Sequence, residues 1–207
     1  MKKLTIIGGG PAGYAAALYA NNFDLEVTII ESDVLGGTCL NRGCIPAKYW
    51  LHLAELNHEI NNASDFGIQI ESSEMDWNKA ATKREDIVSK LVSGIGMLLK
   101  SKKVNVVNGW GKIKNEKSVL VKKEDGTEEL IDTDYILLAT GSKPRELPSL
   151  KYDNKFIINS DTALNWEKPP ANVCVVGAGA IGCEFESLLI DLGSTVTVVD
   201  LEKEILP

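Results

Sequence analysis

Short apolar runs and longer amphipathic stretches alternate along this chain, and the two kinds of run have different periods. Lys3–Ile7 reads as a strand and ends in Gly8-Gly9-Gly10-Pro11-Ala12-Gly13. The alanine-rich Tyr14–Asn21 then reads as a helix, and Leu25–Ile30 as a second strand ending at Glu31. Cys44–Ile60 has helical spacing, with Ala47, Leu51, Ala54 and Ile60 near one face, and Asp76–Leu99 is a longer amphipathic helix. Val104–Val107, Ser118–Val121 and Glu129–Ile131 read as short strands, and Asp125-Gly126 is a hairpin signal between the last two. Tyr135–Ala139 is a nearly continuous apolar run, the pattern of a buried strand, and it stops at Thr140-Gly141-Ser142.

The opening pattern then returns. After the breaker cluster Lys168-Pro169-Pro170 come a strand at Asn172–Val176, a glycine loop, a helix at Ile181–Leu192 and a strand at Thr195–Val199. Strand, helix and strand in this order predict an α/β fold with parallel pairing, interrupted by a small antiparallel meander. The expected division is 1–148 and 149–207, and the second part holds only two strands before Leu206-Pro207. A doubly wound sheet needs more strands than that to cover both faces, so 149–207 is expected to be part of a domain.

The two glycine loops carry the first candidate chemistry. Gly8, Gly10 and Gly13 fit G-x-G-x-x-G, with Pro11 and Ala12 in the variable places, and Gly177, Gly179 and Gly182 fit it again, with Ala180 and Ile181 between. Such glycines allow a tight turn, close approach of backbone to a pyrophosphate and close helix packing, while the helix N-terminus offers amide donors to phosphate. An acid stands eighteen residues past the third glycine in both cases, Glu31 and Asp200, placed to accept from a ribose diol. At Asp200 that favours a free 2′-hydroxyl, hence NAD over NADP, because no arginine follows in Leu201-Glu202-Lys203 to hold a 2′-phosphate.

Composition narrows the picture. The 207 residues carry a net charge of −7, which disfavours nucleic acid and anionic membrane as partners. No apolar run reaches membrane-spanning length, and the glycines after Met1–Ile7 break any secretory pattern, so a cytoplasmic protein is expected. The four cysteines do not make a secreted disulfide framework. Cys174 and Cys183 read as small core residues.

Cys39 and Cys44 are different. They sit five apart in Gly37-Thr38-Cys39-Leu40-Asn41-Arg42-Gly43-Cys44-Ile45-Pro46. A regular helix would separate their Cα atoms by about 7.5 Å, whereas a disulfide wants no more than about 6.8 Å. The pair can close only if the segment is locally irregular, for which Gly43 and the Asn41 side chain are suited. Three readings fit: a redox-active disulfide, a metal site with His52 and His58, or two inert buried thiols. The gap from Cys44 to His52 is too short for a zinc finger. Lys48 lies one helical turn beyond Cys44.

These residues together resemble the flavin-dependent pyridine nucleotide–disulfide oxidoreductases. The resemblance rests on the first glycine loop, the cysteine motif with Lys48, Asp76-Trp77 opening the long helix, Ala139-Thr140-Gly141-Ser142, and Gly177 through Glu184. Leu40-Asn41-Arg42 is most similar to the dihydrolipoamide dehydrogenase branch, since glutathione and mercuric reductases tend to carry valines there. Ala47 departs from the serine common before the lysine, which removes a hydroxyl and leaves the charge. The resemblance implies a Rossmann-like FAD-binding domain followed by the first half of a Rossmann-like NAD-binding domain. It implies that Cys39 exchanges with a dithiol and that Cys44 faces the flavin. Lys48, near flavin N5, would pair with Glu184. Glu31, Gly37, Thr38, Gly111, Thr140, Gly141 and Ser142 would line the FAD site, and Gly177–Glu184 with Asp200 would hold NAD. No metal is implied. The implied reaction oxidises dihydrolipoamide by thiol–disulfide exchange and passes hydride to NAD⁺. The implied partners are lipoyl-carrying domains of 2-oxo acid dehydrogenase or glycine cleavage complexes and, in a full-length member, a second subunit. Family members are more than twice this long and draw a histidine–glutamate base from a later domain, a motif that neither His52 nor His58 matches. The 207 residues alone are therefore expected to turn over negligibly. A flavin-binding fragment without activity and another disulfide reductase of the family are the alternatives.

Overall fold

The computed structural model describes residues 1–206, so the chain end at Pro207 lies outside the described residues. The strands are β1 (Lys2–Ile7), β2 (Leu25–Glu31), β3 (Asn105–Asn108), β4 (Trp110–Asn115), β5 (Ser118–Lys122), β6 (Glu128–Asp132), β7 (Tyr135–Leu138), β8 (Asn172–Val176) and β9 (Thr195–Val199). The helices are α1 (Pro11–Ala20), α2 (Gly37–Arg42), α3 (Cys44–Asn61), α4 (Trp77–Ser101), α5 (Ser160–Ala163) and α6 (Ala180–Asp191), with a 3₁₀ turn at Ala63–Phe66. The chain forms two compact units, one of residues 1–44 and 87–145, the other of 45–86 and 146–207.

The first unit is built on a parallel sheet in the order β3-β2-β1-β7 and an antiparallel sheet in the order β4-β5-β6. β1 is central, with Thr5 opposite Thr28 on β2 and Ile136 on β7. That position explains why Ile6 and Ile29 are fully buried. They pack with Ala17, Ala20, Val27, Leu99 and Val104, which puts α1 and the end of α4 on the same core. A second cluster joins the sheets through Ile7, Ile30, Val119 and Val121. α1 starts at Pro11 rather than at Tyr14, because proline at the first helical position needs no amide partner and has the right φ.

The second unit holds a parallel β8–β9 pair with α6 between the strands in sequence. Its core is Ala47, Trp50, Ala54, Ala80, Leu164 and Leu188. The Trp50 indole N–H donates to the Leu164 carbonyl at 3.1 Å, and the buried Arg84 guanidinium donates to the same oxygen. Arg84 also faces the Trp50 ring, 5.7 Å from its centre. One acceptor thus ties the segment after α5 to α3 and to the first half of α4.

Two expectations need correction. Tyr135–Ala139 reads as a buried strand, but β7 is a sheet edge with Tyr135 48% and Leu138 62% exposed. Cys174 reads as a core residue, but it is exposed and Cys183 is half-buried. β8 pairs only with β9 among the described residues, which leaves one edge of each strand unpaired, and alternate residues along both strands are exposed. The strand β4 has no counterpart in the pattern, because Gly111, Lys112, Lys114 and Asn115 break apolar alternation and most of the strand is exposed. No helix among the described residues is long and apolar enough to cross a membrane.

Candidate functional site

The first glycine loop joins β1 to α1. Gly8 has φ +108°, and a side chain there would also overlap the Ala139 carbonyl just past β7. Gly13 leaves no space for a side chain against the Gly8 carbonyl, which lets α1 start close to β1. Gly10 caps α1 without any side-chain hydrogen bond, so the amides of Ala12 and Gly13 in the first turn have no side-chain partner from the cap. A Cβ on Gly37 would lie 2.7 Å from Gly10 Cα, so the loop before α2 closes over the same place. Glu31 ends β2 buried, and its carboxylate accepts the Gly9 amide at 2.6 Å and the Asp33 amide at 2.9 Å. Each carboxylate oxygen keeps a second lone pair for a hydroxyl. A cradle that side chains would fill, uncapped helix amides and an anchored acid fit a dinucleotide pyrophosphate and ribose.

Other expected lining residues belong to the same unit. Thr140 follows β7 beside Gly8, and Gly141 and Ser142 continue that turn. Gly111 lies on β4, where a Cβ would sit 3.2 Å from both Ile7 and Ile30 side chains, so it has a packing role of its own.

The two cysteines flank a helix break. α2 carries Thr38 and Cys39 and ends at Arg42, and α3 starts at Cys44. Gly43 alone separates the helices, with φ −142° and ψ −119°, and a Cβ there would stand 3.0 Å from the Thr38 carbonyl. Both residues are free thiols in this structure, Cys39 half-buried and Cys44 exposed. Burial pushes the Cys39 thiol up to about 11, helped by its hydrogen bond to Cys44 and the charge on Cys44, with a backbone hydrogen bond from Cys44 opposing.

In the second unit, Lys48 on α3 forms an ion pair with Glu184 on α6. The second loop repeats the first. Gly177 has φ +111°, Gly179 caps α6 without a side-chain bond, and Gly182 has no room for a side chain against the Gly177 carbonyl. Ala180 and Ile181 form the first turn of α6. The Asp200 carboxylate accepts the Ala178 amide, and the Glu202 amide at 2.7 Å. Those two amides hold its carboxyl below the usual carboxylate range. The Cys183 thiol donates to the Ala178 carbonyl at 3.3 Å. His52 faces Glu55 at 3.9 Å and His58 faces Asp191 at 3.3 Å.

The charged residues between Asp76 and Arg84 read as a solvated helix face, but Arg84 is buried; Arg42 and Asp33 have no assigned role in the sequence pattern. Arg42 pairs with Asp33, and the Asn41 amide donates to the Leu35 carbonyl of the loop before α2 and to the Gly37 carbonyl at the start of α2. The signal available for Asn41 and Arg42 is their position between the cysteines; nothing in the pattern separates Arg84 from the charged residues around it.

Comparison with known proteins agrees with this geometry. A family model described as pyridine nucleotide-disulphide oxidoreductase matches residues 2–207. A dihydrolipoyl dehydrogenase of Bacillus subtilis is 40% identical over 206 residues, covering 99% of this chain and 45% of the relative. The mitochondrial dihydrolipoyl dehydrogenase 1 of Arabidopsis thaliana is 40% identical, covering 99% of this chain and 41% of the relative. The crystal structure of LpdA from Mycobacterium tuberculosis superposes with a TM-score of 0.90 at 28% identity, over 100% of this chain and 46% of that one. The chain spans less than half the length of these relatives.

Proposed function

The chain belongs to the pyridine nucleotide-disulphide oxidoreductases, and on that premise we propose that it works as the N-terminal part of a dihydrolipoyl dehydrogenase. The family's cofactors are FAD and NAD. The observation that carries the reading is the thiol pair at a one-residue helix break, in the unit whose glycine loop and Glu31 fit a dinucleotide.

The substrate is a dihydrolipoyl group. One of its thiols attacks the Cys39–Cys44 disulfide at Cys39, and Cys44 leaves as thiolate. The second substrate thiol then displaces Cys39, giving the cyclic lipoyl disulfide and two enzyme thiols. Two electrons and two protons thus leave the substrate for the pair. FAD, when bound, supplies the two-electron path from the thiols to NAD⁺. The residues proposed to hold it are Gly8–Gly13 at the pyrophosphate and Glu31 at the ribose, with Gly37, Thr38, Gly111 and Thr140–Ser142 lining the rest. Lys48, with Glu184 as its partner, is the cation proposed to favour negative charge on the reduced ring. Gly177–Gly182 and Asp200 are proposed to hold NAD, with Asp200 selecting against a 2′-phosphate. The domain boundary is proposed at 148/149. Lipoyl-carrying domains of 2-oxo acid dehydrogenase or glycine cleavage complexes, a homodimer and a cytoplasmic setting complete the reading.

A second reading concerns the 207 residues in isolation. Neither His52 nor His58 matches the family's histidine–glutamate base motif, and base assistance is worth roughly 10²–10⁴-fold. We expect negligible turnover from this chain by itself. The test of the main reading is dihydrolipoamide-dependent reduction of NAD⁺ by protein of the family's length carrying this chain, wild type against Cys39→Ser. The variant should lose turnover by at least about three orders of magnitude, the loss of an essential nucleophile. Retained turnover in Cys39→Ser, or a wild type that reduces glutathione disulfide and ignores dihydrolipoamide, contradicts it.

A further inference from the structure

α2 is six residues long, too short to persist on its own helical hydrogen bonds, and its cap Gly36 contributes no side chain. Something else must hold it, and with it Cys39. Leu40 is buried and packs on Gly36, where a Cβ would come within 2.8 Å of it. The Asn41 amide donates to the Leu35 carbonyl at 3.1 Å and the Gly37 carbonyl at 2.9 Å. The Arg42 guanidinium pairs with the Asp33 carboxylate. The loop that receives these bonds is itself fixed. The Gly36 amide donates to the Gly9 carbonyl at 2.9 Å, and the Asp33 amide donates to Glu31 at 2.9 Å. Leu40, Asn41 and Arg42 thus stand between the two cysteines in sequence and reach the loop bound to the first glycine turn, while the second Asn41 bond, to Gly37, closes within α2 itself.

We propose that Asn41 and Arg42 are positioning residues that moor α2 to the 33–36 loop and so set how readily Cys39 and Cys44 join. The proposal rests on the redox reading of the pair. With α2 moored, Cys39 is held on a helix that only Gly43 separates from the helix of Cys44, and closing the bridge needs little further ordering. With the mooring cut, α2 gains freedom in the dithiol form and the bridge becomes less favourable. Asn41 matters more than Arg42. Its bond to the Leu35 carbonyl is half-buried, whereas the Arg42–Asp33 pair is 43% and 50% exposed, and exposed pairs contribute little.

The test is the equilibrium of the pair with glutathione: the Cys39–Cys44 disulfide plus two glutathione thiols gives two protein thiols plus glutathione disulfide, two electrons passing from glutathione to the protein. Protein is equilibrated in glutathione buffers, quenched in acid, and the bridged and alkylated peptides are counted by mass. All measurements are made far below each variant's urea midpoint, so a change in global stability alone leaves the constant in place. Asn41→Ala should lower the constant for bridge formation about fivefold, the equivalent of one ordinary hydrogen bond. Arg42→Gln should lower it about twofold, and Arg42→Lys should restore the wild-type value. An unchanged or raised constant in Asn41→Ala, with a normal bridge in the wild type, overturns the mooring alone. A wild type that forms no Cys39–Cys44 bridge overturns the redox reading with it.

Discussion

The two glycine loops are nearly the same device in different surroundings. Both turn at a glycine with φ near +110°, and both bring a third glycine hard against the first one's carbonyl. Each ends in an acid whose carboxylate takes two backbone amides, Gly9 and Asp33 on Glu31, Ala178 and Glu202 on Asp200. Their settings differ. β1 pairs on both sides, and a side chain on Gly8 would overlap Ala139 O; β8 pairs on one side, and a side chain on Gly177 would meet nothing within 4 Å. Ile29 and Ile30 at the end of β2 are buried, whereas Val176 and Val199 at the matching ends of β8 and β9 are 54% and 51% exposed. A loop's local hydrogen bonding is therefore set by a handful of residues in the motif itself. Its rigidity and burial are set by what packs round it.

Substitution at the first glycine separates those two contributions. Gly8→Ala meets both the unfavourable φ and the Ala139 carbonyl, and should destabilise the first unit by at least about 3 kcal/mol. Gly177→Ala meets only the φ and should cost about 1–2 kcal/mol. Urea unfolding of the two variants checks this, and equal losses would mean that backbone conformation alone decides.

Core truncation sharpens the same contrast. Ile29→Ala leaves a cavity at a fully buried site and should cost about 3 kcal/mol. Val199→Ala at a half-open site should stay within roughly 0.5 kcal/mol. Matched thermal melts would show a shift of several degrees for the first and almost none for the second; similar shifts would show that Val199 is covered in solution.

At the acids the comparison turns to ligands. Asp200→Ala in the active protein should narrow the preference for NAD⁺ over NADP⁺ by roughly tenfold, since a carboxylate no longer opposes a 2′-phosphate. Glu31→Ala should leave that ratio alone and weaken retention of flavin. Specificity constants for both nucleotides test the first half, and an unchanged ratio would show that Asp200 does not read the ribose.

Legibility follows the same division. β8 and β9 were readable to the residue because five-residue apolar runs are bounded by proline, glycine and serine. The loops and their acids were readable because spacing along the chain fixes them. The burial of β7 and β8 was not, because an apolar strand looks alike at a sheet's centre and edge, and the difference lies in neighbours far away in sequence. β4 was lost because its polar residues show no alternation. Around the cysteines, an irregular segment at Gly43 was readable from the spacing, but the helix α2 was not, since six residues give too little periodicity. Arg42–Asp33 and the two Asn41 bonds are contacts of a fold, with no mark in the motif beyond position.

The central claim is that Cys39 and Cys44 are one redox unit and Cys174 and Cys183 are not. Thiol counting on air-oxidised protein, denatured without reductant and mapped by alkylation, tests it directly. The account predicts two free thiols per chain, at Cys174 and Cys183, with Cys39 and Cys44 joined to each other. Four free thiols, or a bridge that includes Cys174 or Cys183, would contradict it.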